Sequence, residues 1–234
     1  PRWPRRARGG TTPYALAQIM QAALLLILAS CGNSLLANTY IITIPSRIPS
    51  AKALLSYLND TNAHIFDATL VANLPPHRPT KRHLHRIAAT HSHARALCQI
   101  AATNSSLPSM ILEDDAVPVM PVASMQNTLR RALRDLPHDW DILYLCRLKA
   151  TCEWDMPYGR NIKIDSGADG TQAYVVNARI ANTLCNMFQQ RIFNNQVFDI
   201  VLKNMVKTGI LLSFAPKSPL FTQHFAGTPA LKYA

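Results

Sequence analysis

Three consecutive carboxylates, Glu113, Asp114 and Asp115, directly follow the apolar run Met110-Ile111-Leu112. Adjacent like charges repel and raise one another's pKa, so such a cluster costs stability unless something positive compensates it. Hard divalent cations choose carboxylate oxygens, and Mg²⁺ or Mn²⁺ is commonly held by one or two carboxylates together with phosphates of a bound molecule. On an extended segment alternate side chains share a face, which is expected to put Glu113 and Asp115 on one side and Asp114 on the other. One side would then hold a cation and the other would contact a ligand or the backbone. An acidic turn capping a following helix would use the same residues.

A second group of chemically able residues lies between His77 and Arg95, which hold five histidines and five Lys or Arg residues. The closest pairs, His83/His85 and His91/His93, are two positions apart and point to different faces of a helix, so neither chelates easily. The segment reads as a solvated basic face. It lacks the aromatic-rich signature of a single-strand nucleic-acid platform. Trp140 reads as core packing.

The chain has 234 residues, 48% hydrophobic and 16% charged, which suits one folded domain plus an N-terminal extension. Its formal charge of +11 favours partners that carry phosphates. The five cysteines form no CxxC pair, so neither a zinc knuckle nor a dense disulfide framework is expected. At most, Cys146 and Cys152 would pair in an oxidising compartment. Arg2, Arg5, Arg6 and Arg8 precede an apolar run from Tyr14 to Ser30, the pattern of a signal peptide or short signal-anchor. Residues 1–38 are therefore read as a basic, membrane-contacting segment and 39–234 as the catalytic-size domain. Leu28-Ala29-Ser30-Cys31 also has the form of a bacterial lipoprotein box.

From Thr39 onward strand-length apolar runs alternate with helical patterns, the signature of a mixed, mostly parallel α/β sheet flanked by helices. Strands are expected at Tyr40–Ile44, His64–Ala68, Met110–Leu112, Asp141–Leu145, Ala173–Val176 and Ile210–Phe214. Helices are expected near Ser50–Asn59, Leu84–Ala101, Val122–Leu136, Ala178–Phe193 and Val197–Lys207. Leu74–Thr80 reads as a loop, Arg147–Gly170 as an irregular connection, and everything after Phe214 as a tail. The acidic cluster thus falls at the carboxyl end of a strand, where open α/β sheets bind ligands.

Taken in order, these pieces resemble glycosyltransferase family 25, the group of lipooligosaccharide and procollagen galactosyltransferases. The resemblance runs from Tyr40 to Gln223. It is carried by Tyr40-Ile41-Ile42-Thr43-Ile44-Pro45-Ser46-Arg47, Phe66-Asp67-Ala68, Ala89-Thr90-His91-Ser92-His93 and Met110-Ile111-Leu112-Glu113-Asp114-Asp115. Downstream, Asp139-Trp140-Asp141-Ile142-Leu143-Tyr144-Leu145 and Gly170-Thr171-Gln172-Ala173-Tyr174 continue it. The chain departs from the family at Ile48, Pro49 and Ser50, where members have further arginines.

The resemblance implies a GT-A type, Rossmann-like fold and inverting transfer of a hexose, galactose or glucose, from a UDP-linked donor. A divalent cation, Mn²⁺ or alternatively Mg²⁺, would be held by Glu113 and Asp115, with His224 as a nitrogen ligand. Arg47, Ser92, His93, Asp114 and Thr171 would contact the donor, and Asp199 would serve as the acceptor-side base. The acceptor would be a glycan, lipid or protein. The expected location is the endoplasmic reticulum or Golgi lumen, with cytoplasmic membrane association as the alternative. A metal-dependent nuclease or phosphohydrolase, with Asp139, Asp141 and Asp165 as further carboxylates, is the competing reading. A non-catalytic basic nucleic-acid-binding domain is the third, although no nucleic-acid partner is expected.

Overall fold

Short runs of β-branched and aromatic residues broken by Pro, Gly and Asn make strands, and longer amphipathic stretches make helices. A computed structural model describes residues 35–74, 81–147, 155–167, 169–190 and 196–223. In chain order its elements are β1 (Thr39–Thr43), α1 (Ile48–Leu58), β2 (Ala63–Asp67), α2 (Lys81–Ala102), β3 (Ser109–Glu113) and β4 (Ala116–Pro118). Then come α3 (Val122–Asp135), β5 (Ile142–Tyr144), β6 (Met156–Tyr158), β7 (Ile162–Ile164) and β8 (Ala173–Val176). The last are α4 (Ala178–Gln189), α5 (Phe198–Lys207), β9 (Ser213–Pro216) and β10 (Phe221–Gln223).

Eight strands form one mixed sheet in the order β2-β1-β3-β8-β5-β9-β7-β6, and β10 pairs with β4 in a separate two-stranded ladder. In the large sheet β8 and β7 run against the other six strands. The chain steps outward from β1 to β2 and then back across β1 to β3. Right-handed crossovers therefore place α1 and α2 on opposite faces.

The core follows that division. Tyr40, Ile42, Ile111, Tyr144 and Tyr174 pack with Ala96 and Leu97 of α2, Leu184 of α4 and Leu202 of α5 in one cluster. The alternating residues Ile41, Leu112, Leu143 and Val175 point the other way and are equally buried, as are Leu54 of α1 and Leu129 of α3. Trp140 is buried as expected.

Several local expectations change. Residues 156–158 and 162–164, expected to be irregular, form the antiparallel hairpin β6–β7 at the sheet edge. Ile210 and Leu211 do not begin a strand: both amides donate to the Met205 carbonyl, and Gly209, at φ 73°, donates to Val206. That is a glycine-closed helix end, so β9 starts only at Ser213. The expected tail supplies β10. Cys98 and Cys185 form a disulfide that ties α2 to α4, while the Cys146 thiol is free and buried, so the Cys146–Cys152 pairing does not hold. Partners 87 positions apart cannot be read from local spacing.

Among the described residues no helix is long and apolar enough to cross a membrane. The segment Tyr14–Ser30 lies outside them, as does most of the expected loop 74–80.

Candidate functional site

The reversal of strand order at β1 leaves a crevice beyond the carboxyl ends of β1 and β3, the place where open α/β sheets bind ligands. A cavity of about 260 Å³ opens there. Its walls include Thr43 at the end of β1 with Ile44 and Arg47 beyond it, Thr69 and Leu70 after β2, Ser92 and His93 of α2, and Glu113 at the end of β3 with Asp114 beyond it.

Glu113 is the last residue of β3, and Asp114 and Asp115 form the tight turn into β4. The extended alternation expected for the three acids therefore stops at Glu113, because a turn reorients each following side chain. Nor does the cluster cap a helix, since a strand comes next. Each acid finds different partners. Glu113 Oε1 is 3.2 Å from His93 Nε2 and accepts from the Thr171 hydroxyl at 3.0 Å. Asp114 Oδ2 accepts from the Thr43 hydroxyl at 2.7 Å, and its Oδ1 from the Arg47 guanidinium at 2.9 Å. Asp115 Oδ2 accepts from the Gln223 amide at 3.0 Å and lies 4.0 Å from Arg47. Its Oδ1 is buried with no hydrogen-bond partner among the described residues.

These partners set the protonation states. Burial works to raise the Glu113 carboxyl, yet the hydrogen bonds from His93 and Thr171 and the Arg47 charge hold it below the ordinary value. An ionised Glu113 only accepts, so His93 Nε2 carries the proton. Burial pushes the Tyr174 phenol well above its usual range, so its hydroxyl stays protonated and donates to His93 Nδ1 at 3.1 Å. His93, also stacked on Phe198 at 5.1 Å, is thus held in one orientation.

Asp115 behaves differently. Burial first, and then the neighbouring Glu113 charge, push its carboxyl up to about 6. The same two causes, with Asp115 added, push the buried Cys146 thiol up to about 12, so it stays protonated.

Ser92 is buried and fully engaged: its hydroxyl donates to Ala88 O and accepts from the Thr69 amide, both at 2.8 Å. It fixes the loop after β2 against α2. Asp199, in the first turn of α5, lies 3.8 Å from Arg86 and accepts from the Ile200 amide at 2.8 Å. Phe198, its neighbour, is the ring stacked on His93. His91 packs on Phe188, the other face from His93, as two-residue spacing on a helix requires. His224 lies outside the described residues.

No family model matches the chain, and no curated protein matches it. Among solved structures it is similar to the A197 protein from STIV, at 12% identity and a TM-score of 0.44, covering 78% of this chain and 81% of that one. A likeness of that size carries no argument about fold or function, so the chemistry must be argued from the site.

The structure gathers Arg47, Ser92, His93, Glu113, Asp114, Asp115 and Thr171 around one crevice. It does not add the carboxylates a nuclease would recruit. Asp141 precedes β5, at the opposite end of the sheet, where it pairs with Arg179 at 2.5 Å. Asp165 is held by Arg147 at 2.7 Å. Among the described residues no three His, Cys, Asp or Glu side chains are grouped to hold a metal ion. Sequence reasoning missed Thr43, Tyr174 and Gln223. Thr43 had a readable signal, as the one polar residue ending an apolar strand that points at the crevice. Gln223 had none, because it reaches Asp115 only through the β4–β10 ladder.

Proposed function

We propose that the chain is a metal-dependent glycosyltransferase of GT-A type that moves a hexose from a UDP-linked donor to an acceptor hydroxyl with inversion. The observation that carries this reading is the placement of Glu113, Asp114 and Asp115 at the carboxyl end of β3, beside the reversal of strand order, with Glu113 and Asp114 on the cavity wall. The buried Asp115 Oδ1, unpartnered among the described residues, and the upward push on its carboxyl fit a hard cation in chemical type. A cation bound by Asp115 and Glu113 would offset the charge that develops on a leaving diphosphate.

The chain's own residues do the remaining work. Arg47, on the cavity wall, offers a second positive charge to phosphate oxygens. Asp114, locked by Thr43 and Arg47, presents a fixed acceptor to sugar hydroxyls. The Tyr174–His93–Glu113 chain of hydrogen bonds holds Glu113 ionised and immobile. Ile44 and Leu70, partly exposed on the cavity wall, give apolar surface for a nucleobase. Asp199 is assigned to the acceptor hydroxyl as base, and His224 to the cation as a nitrogen ligand. The Cys98–Cys185 disulfide supports an oxidising compartment such as the endoplasmic reticulum or Golgi lumen, with the N-terminal segment as membrane contact.

The test is a donor-hydrolysis screen across nucleotide sugars, with and without Mn²⁺, run beside titrations with short DNA and RNA. The reading expects a UDP-hexose to turn over only with metal. Metal-dependent cleavage of nucleic acid with no nucleotide-sugar turnover would replace it with the nuclease reading.

A further inference from the structure

Two short turns at the amino end of the sheet share one build. Asn59 closes α1, its amide donating to Leu55 O at 3.3 Å, and Asn104 follows α2 shortly before β3. Among the described residues they are the two non-glycine positions with left-handed backbone, at φ 47° and 50°. Asparagine enters that conformation more readily than most side chains, so the backbone accounts for both residues. It makes no demand on the residue two positions later. Yet a hydroxyl stands there each time, in Asn59-Asp60-Thr61 and Asn104-Ser105-Ser106. No other asparagine of the chain has Ser or Thr at that spacing.

In both triplets the middle side chain is half-buried and braces the turn. The Asp60 carboxylate accepts from the Thr39 hydroxyl at 3.0 Å and from the Asn62 amide at 2.9 Å. The Ser105 hydroxyl accepts from the Leu107 amide at 3.1 Å. The outer members, Asn59 and Thr61 in one turn and Asn104 and Ser106 in the other, are exposed. Asn-x-Ser/Thr on a surface turn is the acceptor pattern for N-linked oligosaccharide in a chain that enters the secretory lumen. The Cys98–Cys185 disulfide is a second, independent mark of such a compartment.

The position of the turns also leaves the crevice open. Strands β1, β2 and β3 run parallel, and the turns precede β2 and β3, so both asparagines stand at the amino ends of these strands. The acidic turn lies at the other end of β3, a separation of roughly 15 Å for a strand of that length. A bulky, hydrated oligosaccharide on either asparagine would crowd neither Arg47 nor Glu113.

We propose that Asn59 and Asn104 are N-glycosylation sites. The co-reactant is an oligosaccharide carried on a lipid diphosphate. The asparagine Nδ2 attacks C1 of its first sugar, so the N–C1 bond forms and the C1–O bond to phosphate breaks. The lipid diphosphate leaves, and one amide proton passes to a base of the modifying enzyme. The proposal rests on the luminal placement given above and is independent of any transferase activity of this chain.

The experiment expresses the full chain in secretory eukaryotic cells, once with its own N-terminal segment and once behind an added cleavable secretion signal. Gel mobility is read before and after an amidase that removes N-linked oligosaccharide, and thiol labelling reports Cys98 and Cys185. Both forms should carry two glycans. Thr61→Ala and Ser106→Ala should each lose one and the double variant both, whereas Thr61→Ser should keep both. These variants leave the left-handed asparagines in place, and the Cys98–Cys185 bond in each of them checks that the chain has folded. A signal-led chain with that bond formed and no amidase-sensitive shift would overturn the proposal and leave the luminal reading standing, as would a shift that Thr61→Ala and Ser106→Ala do not change. A signal-led chain that is modified, beside a native form that is unmodified with both thiols free, would remove the luminal reading and the proposal with it.

Discussion

Two charged clusters share one edge of the sheet and are built on opposite terms. At the end of β3 three carboxylates face the guanidinium of Arg47, which is half exposed. Beyond β5 and along β7, Arg147 and Lys163 pair with Asp155 and Asp165, two carboxylates that are almost wholly buried. The first cluster carries surplus negative charge and leaves Asp115 pushed up to about 6. In the second, Arg147 and Lys163 overcome the burial of Asp155 and hold its carboxyl well below the usual range. Charge matched inside the protein belongs to the fold. Charge left unmatched at a strand end, as at the acidic turn after β3, asks for a partner from outside.

The sharpest way to break that comparison is to unbalance the matched cluster. Arg147→Met removes the partner of two buried carboxylates and is expected to cost about 3 to 5 kcal/mol of stability, as breaking a buried pair does. Urea unfolding measures it. A variant as stable as wild type would show that the second cluster is not holding the fold.

Asp115→Asn acts on the unmatched cluster and should do the reverse. Donor turnover is expected to fall on the order of 10²-fold or more, the usual scale for lost charge stabilisation at a leaving group. Stability without metal should not fall. Near-normal metal-dependent turnover in this variant would remove Asp115 as a ligand.

The pH dependence sharpens the same contrast. A carboxyl raised in the folded state is protonated there while the unfolded chain is already ionised. Its contribution to stability is therefore full below the unfolded value near 4 and lost as pH rises through about 6. Without metal, wild type should lose on the order of 2 kcal/mol relative to Asp115→Asn across that interval. Parallel stability curves for the two proteins would contradict the burial and repulsion assigned to Asp115.

How much of this was legible beforehand depended on range. The run Met110-Ile111-Leu112 and the acids after it announced a loaded strand end, because apolar periodicity and charge are local. The five described helices were also within reach, since each carries an amphipathic face. Strand direction was not, and β8 runs antiparallel between β3 and β5 with nothing in Ala173-Tyr174-Val175-Val176 to say so. The ladder of β4 and β10 escaped because three-residue strands have no readable period. Gly209 closing α5 made Ile210 and Leu211 look like a strand start, as apolar residues after a glycine do in either setting. At the site, residue types were legible and pairings were not. Only the fold could join Asp114 to Thr43, 71 positions away, or Asp115 to Gln223, 108 positions away.

A smaller effect separates transfer from donor breakdown. Asp199→Asn is expected to lower transfer to an acceptor about tenfold or more while leaving UDP-sugar hydrolysis nearly unchanged, because a base acts on the acceptor hydroxyl and not on the donor. Equal losses in both reactions would make Asp199 a structural partner of Arg86 instead.

The central claim is that the surplus charge at Glu113, Asp114 and Asp115 waits for a cation and a diphosphate together. Thermal unfolding of the full chain with UDP, Mn²⁺, or both tests it most directly. UDP alone should not stabilise, since diphosphate and carboxylates repel, whereas UDP with Mn²⁺ should raise the midpoint by the equivalent of about 2.7 kcal/mol at a hundredfold excess over Kd. An equal shift with UDP in the presence of a chelator would contradict the account, leaving Arg47 and its neighbours as a metal-free phosphate site.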